Sequence, residues 1–158
     1  MVCRVRLCVL QRSAKNMLLL EYDYHPGWTM GDYTSWNTKV TIDGVLTQHI
    51  DPELGKSKRK NGAIIHKREL TVEEYSSLEK MLREFPKDFS KQLEDIGVCI
   101  DDAENVYLNA PEFDIKFSGP IHCLNHMQKK NEFNSDIDIT PAMNLWKKID
   151  EMQEVKAI

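Results

Sequence analysis

Residues 36–50 read WNTKVTIDGVLTQHI, and they decide the fold class. Polar and apolar side chains alternate through residues 36–42, which is the period of a half-buried strand. Asp43 and Gly44 follow, and a second strand-like run occupies residues 45–50. An Asp-Gly pair between two such runs is a strong hairpin signal, because a type I′ turn needs positive φ at both central residues. The sequence therefore predicts a two-residue turn that joins two antiparallel strands.

The same alternation predicts further strands on both sides of this hairpin. They cover residues 3–10, 17–22, 63–69, 106–108 and 113–117. Residues 12–16 are expected to turn between the first two strands, and residues 51–62 to form an exposed loop. Residues 109–112 are expected to turn between the last two strands.

A helical period replaces the alternation after residue 70. Thr71 and Glu74 have the spacing of a capping box, in which each side chain accepts a hydrogen bond from the other residue's backbone N–H. Apolar residues then recur every three or four positions, as an amphipathic helix requires: Tyr75, Leu78, Leu82, Phe85 and Phe89. Pro86 is expected to end the first helix near Phe85, with a second helical piece running towards Ile96.

A last helix is predicted near the C-terminal end of the sequence. Thr140 is expected to cap it, and Pro141 suits the first helical position. The predicted buried stripe consists of Leu145, Trp146, Ile149 and Met152. The order of strands, helix, strands and helix favours an α+β fold: an antiparallel sheet of hairpin-linked strands with two to three helices on one face. The 158 residues suit a single domain, 1–158.

Composition and charge narrow the class of protein. The net charge is −4, and residues 71–158 carry 10 basic against 18 acidic residues, a balance of −8. No apolar run approaches the roughly 20 residues of a membrane-spanning helix, and residues 1–12 lack the continuous apolar stretch of a signal peptide. Cys3, Cys8, Cys99 and Cys123 form no CxxC pair, so we expect free thiols in a cytoplasmic protein.

No motif in the sequence predicts a cofactor, a metal or a catalytic centre. His122, Cys123 and His126 are near one another, but zinc sites usually take three or four ligands and a metalloprotease helix needs a Glu beside its first His. Phosphate-binding glycine loops and the G-x-S-x-G nucleophile motif are absent. The basic run KSKRK at residues 56–60 has no accompanying nucleic-acid-binding motif, which argues against nucleic-acid binding.

Aromatic residues are concentrated between Tyr22 and Trp36, and acidic residues in the second half of the chain. Aromatic anchors dominate many protein interfaces, and an acidic surface speeds encounter with a basic partner. The candidate partner-binding residues are Tyr24, Trp28, Asp32, Tyr33, Glu73, Glu94, Asp101, Asp102 and Glu104. The sequence thus favours a non-catalytic protein-binding module, such as an inhibitor or immunity-type protein that neutralises a basic toxin or enzyme.

Two alternatives belong to other classes. A small enzyme or ligand-binding domain would use a motif-free pocket between the helices and the aromatic segment, with His25, Asp32, His49 and His66 as its polar groups. An RNA-binding module would need the basic run at 56–60 to lie beside exposed aromatic rings. The partner's identity and the oligomeric state do not follow from the sequence.

Overall fold

The computed structural model describes residues 17–27, 33–52, 64–96, 104–130, 132 and 136–156; of residues 33–34, 51–52 and 96 it describes only the backbone. Six strands are described: β1 Leu18–His25, β2 Tyr33–Thr41, β3 Val45–Pro52, β4 Ile64–Glu69, β5 Asn105–Ala110 and β6 Ile115–Gly119. The described helices are α1 Val72–Glu84, α2 Phe89–Ile96, α3 Ile121–Lys129 and α4 Thr140–Met152, with a 3-10 turn at Pro111–Phe113.

The strands form one antiparallel sheet in the order β4-β3-β2-β1-β5-β6. Strands β1 to β4 run as a meander, and β5 returns to the free side of β1 after α1 and α2. The predicted α+β class is therefore confirmed, with four described helices instead of two to three. The strand predicted at residues 3–10 and the turn predicted at residues 12–16 lie outside the described residues.

The hairpin between β2 and β3 is confirmed, but its turn differs from the predicted one. Val40 pairs with Leu46, so three residues rather than two make the turn. The Gly44 N–H donates to the Thr41 carbonyl at 2.9 Å, and Gly44 has φ 80° while Asp43 keeps a negative φ. This is a type I turn followed by a left-handed residue, the usual three-residue hairpin, and only the second residue of the Asp-Gly pair needs the freedom of glycine.

Helix α1 begins as the sequence predicts. The Glu74 N–H donates to Thr71 Oγ1 at 3.2 Å, and the Thr71 N–H donates to Glu74 Oε2 at 2.8 Å, which completes the capping box. Leu78 and Leu82 on this helix are buried. Phe85 and Phe89 stack against Phe117 of β6 in one aromatic group. Helix α2 ends at Ile96, as expected.

Two predicted boundaries are wrong by a few residues. β6 starts at Ile115 rather than at residue 113, and the turn spans residues 111–114 rather than the predicted 109–112. The reason is that β5 runs to Ala110, residues 111–113 form the 3-10 turn and Asp114 adopts φ 56°. Thr140 is not the cap of α4: the Asp138 carboxylate accepts from the Thr140 N–H at 2.9 Å instead. The buried stripe of α4 is as predicted.

All four helices contribute to one hydrophobic core on one face of the sheet. The core face also carries a row of polar side chains in direct cross-strand register: Tyr22, Thr38 and Gln48. Gln48 Nε2 donates to Gln153 Oε1 and to the Val155 carbonyl, both at 2.8 Å, and Gln48 Oε1 accepts from the Val155 N–H at 3.0 Å. These bonds fix the chain just beyond α4 against the sheet.

Candidate partner-binding end of the sheet

One end of the sheet carries the aromatic residues that the sequence singles out. At this end His25 pairs with Asn105, and Tyr24 is opposite Trp36 on one side and Val106 on the other. We call Tyr24, Trp36, Glu104, His122 and Trp146 the aromatic end. Strand β1 ends here, and β2 and β5 begin here. Tyr24 and Trp36 therefore lie beside the first residues of β5.

Tyr24 belongs to a ring cluster that has two buried tryptophans. Its ring stacks on Trp36 with 4.4 Å between centroids and lies 5.8 Å from Trp146. The His122 ring meets Trp146 edge-on, with 5.6 Å between centroids. Trp36 and Trp146 are buried, whereas Tyr24 is half-buried and His122 is exposed. A rigid, partly exposed ring on a buried support is the form that interface anchors take.

The Tyr24 phenol remains protonated at neutral pH. Burial raises its pKa, and the nearby carboxylates of Glu104 and Asp150 raise the pKa further. Tyr24 therefore presents a neutral hydroxyl that both donates and accepts hydrogen bonds. The same causes oppose its use as a base or nucleophile, which would require a lowered pKa.

Glu104 connects the aromatic end to α3. Its Oε1 accepts from the Cys123 N–H at 2.8 Å, so a carboxylate satisfies a backbone donor in the first turn of the helix, where negative charge is favourable. Burial and the Glu104 charge both raise the pKa of the Cys123 thiol. A thiol with a raised pKa is a weak nucleophile, and the arrangement therefore disfavours Cys123 as a catalytic residue.

The three potential metal ligands of α3 do not form a site with other described residues. His122 and His126 are exposed and Cys123 is half-buried. Within the part of the chain that the structure describes, no group of three His, Cys, Asp or Glu side chains is placed to hold a metal ion.

The predicted acidic residues divide between the two ends of the sheet. The Leu93 side chain lies against Gly119, where an added Cβ would come within 3.0 Å of Leu93 Cδ2, and Gly119 pairs with Val106. The next residue, Glu94, is exposed, and the position of Leu93 puts it at the same end of the sheet as Tyr24. Glu73 is exposed in the first turn of α1, at the opposite end, because the Leu70 N–H just before this helix donates to the Gly44 carbonyl at 2.8 Å.

The acidic residues of α1 do not make a uniformly negative face. Glu74 pairs with Arg68 at 2.7 Å, and Glu79 pairs with Arg83 at 2.7 Å. A looser pair, at 3.9 Å, joins Lys80 to Glu84. The excess of acidic residues that the sequence shows in this region is therefore partly neutralised on the folded surface.

Several predicted residues cannot be placed. Trp28, Asp32, Asp101 and Asp102 lie outside the described residues, as does the basic run at 56–60. Tyr33 is placed by its backbone, which pairs with Pro52 at the same end of the sheet as Tyr24. Of the nine predicted partner-binding residues, the structure brings Tyr24, Glu94, Glu104 and the backbone of Tyr33 to one end.

The polar groups of the alternative pocket do not converge. His66 pairs with Gln48, whose side chain is on the core face of the sheet. His49 follows Gln48 directly in β3, so its side chain is on the opposite face. His25 is exposed at the end of β1, and Asp32 lies outside the described residues. A concavity between the β2–β3 turn and the start of α1 is lined by none of these residues.

Sequence reasoning missed two members of the aromatic end. Trp146 is part of the predicted core stripe of α4, and nothing in the sequence connects it to Tyr24, which is more than a hundred residues away. The sequence marks His122 as a possible metal ligand or as the neighbour of the Cys123 thiol, and not as a contact of Trp146. The chain matches no protein-family model and no curated protein. None of the described helices is long and apolar enough to cross a membrane.

Proposed function

We propose that this protein is a non-catalytic inhibitor or immunity-type protein, which binds and neutralises a basic partner protein such as a toxin or an enzyme. The observation that carries the proposal is the half-buried Tyr24 ring, stacked on Trp36 and supported by Trp146 at the end of the sheet. Glu94 and Glu104 lie at the same end. Trp28, Asp32, Tyr33, Asp101 and Asp102 remain predicted contacts, and Glu73 is expected to take no direct part.

The two kinds of residue have different roles in the proposed complex. Carboxylates act over a distance, so they speed the encounter with a basic partner and their effect weakens as salt rises. Aromatic rings act once they are desolvated in contact, so they slow dissociation. The raised pKa values of Tyr24 and Cys123 support a binding role over a catalytic one.

The first experiment identifies the partner and asks whether it is neutralised. The tagged protein is used to capture partners from the cells that make it, and the captured protein is purified and assayed for its own activity. We expect a basic protein whose activity falls when an equimolar amount of this protein is added. Capture of an acidic protein, or of a protein whose activity does not change, would contradict the proposal.

The second experiment locates the surface. Tyr24→Ala is expected to raise the dissociation rate by about 30-fold, equivalent to about 2 kcal/mol for a hot-spot residue. Ile65→Ala, on the sheet face away from the core and 61% exposed, is the control and should leave the rate unchanged. Thermal unfolding of both variants shows whether each remains folded. A folded Tyr24→Ala variant with an unchanged dissociation rate would move the binding surface elsewhere.

A further inference from the structure

The opposite end of the sheet has a concavity that the proposed function does not use. It is formed where the β2–β3 turn meets the start of α1, and its volume is about 250 Å³. We call it the hairpin-end concavity; the lining residues that matter here are Ile42, Gly44, Leu70, Val72, Tyr75 and Ser76. Pockets for drug-sized ligands are usually about 300–1,000 Å³, so this one suits a single large side chain.

The walls of the concavity are held by backbone bonds at fixed positions. The Leu70 N–H donates to the Gly44 carbonyl at 2.8 Å and joins the turn to the residue before α1. The capping box of Thr71 and Glu74 then fixes the first turn of the helix. Tyr75 lies across the turn, close enough that a Cβ added to Gly44 would be 3.6 Å from Tyr75 Cδ2. A preformed pocket binds at a lower entropic cost than one that must be assembled.

Apolar surface is exposed at the mouth. Val72 is 78% exposed, more than any other large hydrophobic residue that the structure describes. Met17 is 47% exposed, and its carbonyl accepts from the Ile42 N–H at 2.9 Å, so it lies beside the concavity. Exposed apolar side chains beside a concavity offer contact area to another chain.

The rim is acidic. Asp43 lines the concavity and is exposed, and Glu73 is exposed next to Val72. The pKa of the Tyr75 phenol is raised by burial first and then by the charges of Glu79, Glu112 and Asp43, while Arg83 opposes them. Arg83 is paired with Glu79 and also covers the Phe113 ring, so it neutralises only part of this charge.

We propose that the hairpin-end concavity binds a basic segment of another protein, which inserts one large apolar side chain between Val72 and Tyr75. Lysine or arginine residues on either side of that side chain would meet the acidic rim. The acidic rim favours a basic segment because the charges are complementary. The volume of about 250 Å³ favours a single apolar side chain. The inference concerns the end of the sheet opposite Tyr24 and does not depend on the proposed function of the aromatic end.

The test uses the full-length protein and two short synthetic peptides with blocked ends. One peptide has a central leucine flanked by lysine and arginine, and the other replaces each basic residue with glutamate. Nuclear magnetic resonance titration follows the Val72 methyl groups, the Tyr75 ring and the backbone amides. We expect the basic peptide to shift the signals of Val72, Tyr75 and Ser76, and the acidic peptide to bind at least about tenfold more weakly because the rim repels it.

A matched pair of variants separates the site from general charge attraction. Ser76→Trp fills the concavity without changing the charge and should abolish the shifts at Val72 and Tyr75. Asn144→Trp places the same ring at an exposed position of α4 and should leave binding unchanged. The proposal is overturned if neither peptide binds, if the two bind equally, or if the basic peptide binds Ser76→Trp as well as the unaltered protein.

A second copy of the chain is the competing occupant. Shifts at Val72 and Tyr75 that depend on protein concentration without any peptide would assign the concavity to self-association and overturn the proposal. Because the readout is at the hairpin end, either result leaves the aromatic-end proposal untouched, and failure of the Tyr24→Ala experiment equally leaves this one standing.

Discussion

Replacing Gln48 with methionine tests how the chain beyond α4 is held to the sheet. Gln48 is fully buried and makes three hydrogen bonds, to Gln153 Oε1, the Val155 carbonyl and the Val155 N–H. Methionine has a similar length and no hydrogen-bonding group of comparable strength, so Gln48→Met removes all three bonds while largely filling the same space.

The magnitude follows from the number of bonds and the exposure of their partners. Three hydrogen bonds at about 1 kcal/mol each give about 3 kcal/mol. Two effects reduce this loss. Val155 is half-buried, so its backbone groups bond to water when the end of the chain separates from the sheet. The methionine side chain also buries more apolar surface than the glutamine that it replaces. We therefore expect the free energy of unfolding to fall by about 1–3 kcal/mol.

Thr38→Val is the matched control. Thr38 is the direct cross-strand neighbour of Gln48 and is equally buried, but its hydroxyl has no hydrogen-bond partner among the described residues. Replacing an unpaired hydroxyl with a methyl group of the same shape is expected to change the free energy of unfolding by less than about 0.5 kcal/mol, or to raise it.

Urea denaturation measures both variants, and amide hydrogen exchange at Val155 reports the local effect. We expect Gln48→Met to be less stable than the unaltered protein and the amide hydrogen of Val155 to exchange faster. Equal stability of Gln48→Met and the unaltered protein, with Val155 still protected, would show that the three bonds do not hold this segment. A loss of more than about 1 kcal/mol in Thr38→Val would show that its hydroxyl is hydrogen-bonded in solution.

Three further predictions follow from the fold. Leu82→Ala, at a position 1% exposed, should lower the free energy of unfolding by about 2–5 kcal/mol in chemical denaturation; a change below about 0.5 kcal/mol would place α1 off the core. Gly44→Ala should cost about 1–2 kcal/mol in the same assay, because φ is 80° although the added Cβ would make only an ordinary contact, 3.6 Å from Tyr75 Cδ2; Gly44→Asn should cost less. The Arg68 guanidinium lowers the pKa of Glu74 from its ordinary 4.5 to about 2; the stability that this pair contributes is fully present above pH 4.5 and is lost as the pH falls towards 2. Denaturation curves between these pH values should therefore show a steeper loss for the unaltered protein than for Glu74→Gln, and parallel losses would contradict the pairing.

Local signals in the sequence were sufficient for most of the fold. The capping box at Thr71, the stripe through Leu82 and the alternation on both sides of Asp43-Gly44 each depend on residues close together in the chain, and each predicted the element that forms. The hairpin turn was predicted one residue too short, because the sequence does not show whether Asp43 itself adopts positive φ. The length of the turn depends on the register of the two strands, and the sequence alone does not show that Val40 pairs with Leu46.

The candidate site was less accessible to sequence reasoning, because long-range packing creates it. Its aromatic neighbours in the sequence single out Tyr24, but its ring contact with Trp146 and its proximity to the Glu104 charge depend on the return of β5 to β1 and on the position of α4. The spread of Glu73 and Glu94 to opposite ends likewise follows from the direction of α1 and α2. Composition gave both residues the same expected role, and only the topology separates them.

A comparison of Glu94→Lys with Glu73→Lys tests whether a basic partner binds at the aromatic end. Both variants reverse the charge of an exposed glutamate on a helix, so they change the net charge equally, but only Glu94 lies near the aromatic end. The measurement is the rate of association with the captured basic partner at low and at high salt. We predict that Glu94→Lys slows association severalfold at low salt, that Glu73→Lys has a clearly smaller effect, and that the difference shrinks at high salt. Equal effects of the two variants, or rates that do not depend on salt, would contradict binding at the aromatic end.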